Sequence, residues 1–259
     1  MPLPVYIVDA FTRRSFAGNP AGVVPRADGL SSETMQHIAG ELRCSETAFI
    51  MDSHTADVRV RFFSPVREVD LCGHATVAAF HVLAAATGLA SKVTMETRAG
   101  VMSVEIRGGP DGAVHMQQAS PRFRSGDVNP AALAAALGVD EAAIADVPAE
   151  AASTGLWSLY VPLVSRAAMR RLRPDYDAIE AICGECDVGA LFVFTFDTIC
   201  EENFVHGRCF APCYGISEDP VTGTANGALG ALLRRHGLLE ARRYTAAKPL
   251  PRIPPKHTT

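Results

Sequence analysis

No stretch of this 259-residue chain approaches the roughly 18 uninterrupted apolar residues that a membrane span needs. The opening residues, Met1-Pro2-Leu3-Pro4, lack the basic-then-apolar pattern of a secretion signal, so cytoplasmic residence is the expectation. An excess of basic charge is missing too. The net charge of −4 and a pI near 6.1 give no electrostatic reason to expect nucleic acid or an anionic membrane as partner. Seven cysteines, an odd number spread along a chain of this length, do not make a disulfide framework and suit a reducing compartment. What is present is the composition of a globular protein, 48% apolar and 20% charged, long enough to bury a substantial core and enclose a cleft. Small molecules or other proteins are the partners left.

Along the chain, Val5 to Ala10 reads as a buried strand, followed by the turn-rich Gly18 to Gly22 and a second short run, Val23-Val24. Ser31 and Ser32 offer N-caps to a helix whose Met35, Ile38, Ala39 and Leu42 share one face. It ends before Ser45-Glu46-Thr47. Strands follow at Ala48 to Ile50 and at Val58 to Phe62, the latter alternating apolar and charged residues. A helix is expected from about Thr76 to Ala86, a hairpin over Val93 to Ile106, a turn at Arg107 to Gly112 and a strand from Ala113 to Gln118. The polar, proline-bearing stretch 119–130 suggests a division near residue 120, giving units 1–120 and 121–259. The second unit opens with a helix, Pro130 to Leu137, closed by Gly138, and continues with strands at Leu156 to Val164 and Ala190 to Phe196 and a helix near Asp175 to Cys183. The proline-rich end, Pro249 to Thr259, is not expected to form a regular element.

An internal repeat connects the two units. Arg61-Phe62-Phe63-Ser64-Pro65 recurs as Arg208-Cys209-Phe210-Ala211-Pro212, and each copy is followed by a small-residue turn that opens a helix, Cys72 to Ala78 in one and Thr222 to Ala228 in the other. A helix start carries unpaired N–H groups and partial positive charge, so two facing starts would hold a carboxylate. Gly73 and Gly223 would let the backbone approach a ligand, and Thr224 would add a hydroxyl or cap its helix. Glu46, between Ser45 and Thr47 and just before an apolar run, is the leading proton-transfer candidate, although a glutamate at such a junction is by itself more often a solvated loop residue. His74 at the first helix start would be held neutral by the dipole, and Asp219, before Pro220, would orient substrate or act as a second acid/base. The spacing of Cys183, Cys186, Cys209 and Cys213 suits zinc. Cys209, however, falls in the repeated motif where the first copy has Phe62, Cys200 would be left over, and no metal is expected.

Phe16 to Val23, Ser45 to Phe49, Leu71 to Thr76 and Gly215 to Ala225 stand together in an order that resembles the PhzF-like family, named for phenazine biosynthesis. The resemblance runs from about residue 5 to residue 240. It implies an α+β, diaminopimelate epimerase-like fold of two pseudo-symmetric domains, each a mixed, mostly antiparallel sheet around a central helix. It also implies a cofactor-independent isomerase in which Glu46 moves a proton on a small acidic substrate. His74, Asp219 and Thr224 would line the pocket, Gly73 and Gly223 would supply backbone donors, and Ala75 and Asn19 lie in the same motifs as substrate-binding candidates. By analogy the assembly would be a homodimer. Racemases of the fold use two facing cysteines, whereas this chain has Cys72 in the first turn and none in the second. An amino-acid or hydroxy-acid epimerase with Cys72 or Asp219 as second base, and a non-catalytic binding protein, are the competing readings. After Tyr244 the sequence departs from the family pattern.

Overall fold

The computed structural model describes residues 2–12, 16, 18–88, 92–107, 112–146, 149–199, 201 and 203–239. The expected turn at residues 108–111, Cys200 and everything after Tyr244 lie outside them. No helix among the described residues is long and apolar enough to cross a membrane.

The first half contributes an eight-stranded sheet. Its strands are β1 (Tyr6–Ala10), β2 (Asn19–Val24), β3 (Glu46–Met51), β4 (Val58–Phe63), β5 (Glu68–Val69), β6 (Lys92–Thr97), β7 (Gly100–Arg107) and β8 (Ala113–Met116). Helix α1 (Ser32–Leu42) joins β2 to β3, and α2 (Gly73–Thr87) follows β5. The strand order is β1-β2-β3-β4-β6-β7-β8, with β5 on β4, and only β2/β3 and β4/β6 run parallel. Helix α2 touches β1, β2 and β3 at one end of this sheet and β8 at the other, so the sheet curls around it. That position explains its composition. Nine of its residues are buried, on every side of the helix, as an apolar helix without a polar face requires.

The chain leaves this sheet at Met116 and enters a second, six-stranded one at Arg122. Its strands are β9 (Arg122–Ser125), β10 (Glu150–Ser153), β11 (Trp157–Pro162), β12 (Ala190–Thr195), β13 (His206–Ala211) and β14 (Ile216–Asp219). The helices are α3 (Pro130–Leu137), α4 (Arg166–Arg171), α5 (Tyr176–Glu185) and α6 (Gly223–Arg235). Only β11/β12 is parallel. Helices α3 and α5 pack one face of this sheet with Leu159, Val161 and Phe210, and α6 packs the other with Tyr160, Phe192 and Phe194. The mixed, mostly antiparallel, epimerase-like architecture is therefore present.

The repeat extends further than the motif that announced it. The sequence β1-β2-α1-β3-β4-β5-α2 matches β10-β11-(α4, α5)-β12-β13-β14-α6, with the same antiparallel, parallel, antiparallel order of pairing. It reaches the side chains. Arg61 grips Glu68 through Nε at 2.7 Å and a terminal nitrogen at 2.8 Å, and Arg208 grips Glu218 in the same two-pronged way at 2.7 and 2.9 Å. Each guanidinium also lies over the phenylalanine two residues on, Phe63 at 5.1 Å and Phe210 at 5.0 Å.

Candidate functional site

Glu46 owes its place to how α1 ends. Ser31 caps that helix through its hydroxyl, and Arg43 closes it in the left-handed conformation, φ 52°, so that the chain reverses and Glu46 becomes the first residue of β3. There it pairs with Ala21 of β2. Its side chain keeps 13% of its exposure and faces His74, which keeps 3%.

Both helix starts reach the same place. Cys72 is the N-cap of α2 and Thr222 that of α6, and neither side chain caps its helix. The expectation that Thr224 would cap α6 is thus corrected: it sits inside the first turn, buried, one residue after Gly223. Helix α2 likewise starts at Gly73 rather than near Thr76, because Cys72 is extended and the turn immediately follows it. Two further residues anchor the second start, Gln118 from the connecting segment and Thr154 just after β10. Gln118 donates to the Gly223 carbonyl at 3.2 Å and accepts from Thr154 at 2.6 Å.

Between the starts lies a cavity of about 50 Å³. Glu46, Cys72, Gly73 and His74 line it from the first half, and Asp219, Thr222, Gly223 and Thr224 from the second. Six of the sequence candidates therefore meet here. Ala75 and Asn19 do not line it: Ala75 is fully buried in the first core, and Asn19 is fully buried with its amide committed elsewhere. Trp157, Cys209, Tyr214 and Thr222 are among the other lining residues, and none of them is assigned to this cleft from sequence. For Thr222 a signal existed, since it is the counterpart of Cys72 in the repeat. A larger open groove of about 730 Å³ crosses the outside of the second half, lined by Arg170, Arg171 and Arg173 among others, but no candidate residue reaches it.

The electrostatics follow from burial. Glu46 is pushed up to about 8, first by loss of water and then by the neighbouring Asp219 carboxylate, with a hydrogen bond from Cys72 acting the other way. Burial lowers His74, against the pull of Asp219, so its imidazole is neutral. Burial and the nearby Glu46 raise the Cys72 thiol well above its usual range. The 3.5 Å approach of His74 Nε2 to Glu46 Oε2 is accordingly not an ion pair at neutral pH but a contact between neutral groups, longer than a good hydrogen bond. His74 Nδ1 faces Cys72 Sγ at 3.3 Å, whereas Nε2 has no hydrogen-bond partner. The buried imidazole thus has an unused position directed at Glu46.

Glu46, Cys72 and His74 are also the one set among the described residues whose ligand atoms gather closely enough for a metal, within 4.8 Å of one another. The positive ends of two helices next to it disfavour a cation there. Cys183, Cys186, Cys209 and Cys213 form no such group, and Cys209 is a buried side chain of β13, as its place in the repeat suggested.

The phenazine biosynthesis-like family model, PhzC-PhzF, matches residues 8–248. An uncharacterized isomerase of Bacillus subtilis, YfhB, is 39% identical over 242 residues, covering 91% of this chain and 82% of its own. The trans-2,3-dihydro-3-hydroxyanthranilate isomerase of Pseudomonas aeruginosa is 34% identical, with 89% of this chain and 79% of that protein covered. Among solved structures, a PhzF-family phenazine biosynthesis protein of Bacillus anthracis superposes with a TM-score of 0.82 at 34% identity, over 89% of this chain and 79% of its own.

Proposed function

The chain belongs to the phenazine biosynthesis-like family and is an isomerase, and on that premise we propose that it shifts a proton on a small, carboxylate-bearing, conjugated substrate, with Glu46 as the acid/base group. The observation that carries this reading is the placement of Glu46: a carboxyl held near pKa 8 in a cavity walled by two uncapped helix starts, one from each half. A general base works best when its pKa lies near the working pH, and Glu46 meets that condition.

The substrate carboxylate would lie against the N–H groups at Gly73 and His74 and at Gly223 and Thr224, where partial positive charge also stabilises negative charge that develops during reaction. Ionised Glu46 would take a proton from carbon, leaving a carbanion delocalised through the conjugated system. The resulting neutral acid would return that proton at a different carbon. His74, neutral and with Nε2 free of other bonds, would hold the Glu46 carboxyl in line. The cavity as it stands has room for a water or two, far below the roughly 300 Å³ of a ligand pocket, so the halves must part to admit substrate. Excluding water afterwards protects the carbanion from stray protonation. Thr222 in the place matching Cys72 argues against a two-thiol epimerase, since a threonine hydroxyl is no base at neutral pH.

Incubation in D₂O tests the proposal. With trans-2,3-dihydro-3-hydroxyanthranilate and related cyclic dienes as probes, wild type should move or exchange a carbon-bound hydrogen and Glu46→Gln should not. Equal rates in the two proteins would remove Glu46 from the chemistry.

A further inference from the structure

Asn19 is the first residue of β2 and has no exposed surface. Its carboxamide nitrogen donates to Asp219 Oδ1 at 2.6 Å and to the Val221 carbonyl at 3.0 Å, crossing from one half to the other. The orientation is forced, because a flipped amide would set its oxygen against a carboxylate and a carbonyl, neither of which can donate. The remaining oxygen, Oδ1, is buried without a partner, so Asn19 makes these contacts while leaving part of its own hydrogen-bonding capacity unmet. The other oxygen of Asp219 accepts from the Thr222 hydroxyl. Asp219 is thus held at both oxygens, by one group from each half. Little slack exists behind Asn19 either. A side chain on Gly18 would run into the Ala10 carbonyl oxygen, so the chain entering β2 is packed tightly against β1.

We propose that Asn19 is a positioning residue of the isomerase, fixing the Asp219 carboxylate beside Glu46 across the seam between the halves. This inference rests on the reading of Glu46 as the acid/base group. A carboxylate that accepts a hydrogen bond at each oxygen is held in one orientation. Its charge in turn discourages ionisation of Glu46. The groups facing Glu46 are Cys72, the N-cap of α2, His74 from its first turn, Asp219 from β14 and Tyr214, the last covered by the Arg67 guanidinium at 4.6 Å. Of these the carboxylate is the one that Asn19 touches. Without the amide, Asp219 is free to turn away from Glu46, which removes the repulsion that helps to raise the pKa of Glu46.

The test is a titration of Glu46 by NMR in protein labelled with carbon-13 at the glutamate carboxyl, the resonance being identified by its loss in Glu46→Gln. Relative to wild type, Asn19→Ala should lower the Glu46 pKa by about one unit. Asn19→Ser, which stays polar but is too short to reach Asp219, should do the same, and serves if the alanine variant does not fold. Asp219→Ala should lower it as well, and adding Asn19→Ala to that variant should move it no further, because the partner is already gone. On turnover, Asn19→Ala should lose roughly 10- to 100-fold in kcat in the wild-type background and almost nothing in the Asp219→Ala background. An unshifted Glu46 pKa in folded Asn19→Ala or Asn19→Ser, or an equal further drop without Asp219, overturns the proposal. The titration needs no substrate. Failure of the wild type to exchange hydrogen in D₂O would count against the assigned chemistry alone.

Discussion

A methyl group added at Gly73 would stand 3.4 Å from Thr224 Cγ2 and 3.5 Å from the Thr224 amide nitrogen. The two helix starts therefore meet across a gap that one carbon atom would fill. Those separations are ordinary van der Waals contact, and alanine is at home in a first helical turn. Gly73→Ala should keep its circular dichroism and melting temperature close to wild type while losing roughly tenfold or more in kcat/KM, because the methyl occupies the place assigned to the substrate carboxylate. Full activity in that variant would move the binding site elsewhere.

Activity should follow the ionisation of Glu46. As the base it works only when ionised, so kcat/KM should climb from pH 6 and level off above about 8, the value to which burial and Asp219 bring it. A profile flat across that range would show that some other group takes the proton.

Stability should run in the opposite sense. Glu46 titrates near its ordinary value of 4.5 when unfolded and near 8 when folded, so between those limits the folded state binds more protons and loses stability as pH rises. Glu46→Gln has nothing to ionise. Its melting temperature should match wild type near pH 4.5, exceed it increasingly toward pH 8 and hold a constant lead above that, as thermal melts from pH 4.5 to 9 would read directly. A difference that stays constant from pH 4.5 to 8 would mean that the folded-state pKa is not raised.

The two arginine forks should differ in weight. Arg61 and Glu68 keep 16% and 17% of their exposure, and Arg208 and Glu218 keep 22% and 37%. Arg61→Met takes the two-pronged partner from a mostly buried carboxylate, leaving it only the longer 3.3 Å contact of the exposed Arg98, and should cost about 1–3 kcal/mol in a denaturant titration. Arg208→Met should cost about 1 kcal/mol or less, since water can replace the guanidinium around Glu218. The Arg61 hydrogen bonds hold Glu68 below the usual carboxylate range. The stability they give is present at neutral pH and lost as pH falls through that lowered value, so the penalty of Arg61→Met should shrink in acid.

Much of the frame was legible because it is written in local patterns. Ser31, Asn129 and Asp175 cap helices through their side chains, and the Gly138 cap closes α3 where glycine best tolerates the left-handed turn. The repeated Arg-x-Phe-x-Pro strand marks both halves in the sequence alone. Strands β9 and β10 were not anticipated. Ala151 and Ala152 carry no β-branched or aromatic signal, and their pairing with Phe123 and Arg124 is set by the neighbouring strands. The pocket divides in the same way. Glu46, His74 and Asp219 could be picked out by residue type and motif, whereas Tyr214 and Trp157 reach the cavity through tertiary packing alone. The family resemblance of its motif makes Asn19 a substrate-binding candidate, whereas its amide is spent on Asp219 and the Val221 carbonyl. Nothing within six residues of it in sequence reveals a bond to a carboxylate 200 positions away.

Each half ties its own strand pair with an arginine fork, Arg61 to Glu68 and Arg208 to Glu218, and neither fork reaches across to the other half. A chimera that joins this chain's residues up to the crossover to the remainder of a relative would therefore keep the Arg61–Glu68 fastener whole. Whatever it lost would trace to mismatched partners at the join, which makes such hybrids a direct way to separate the demands of folding from those of substrate choice.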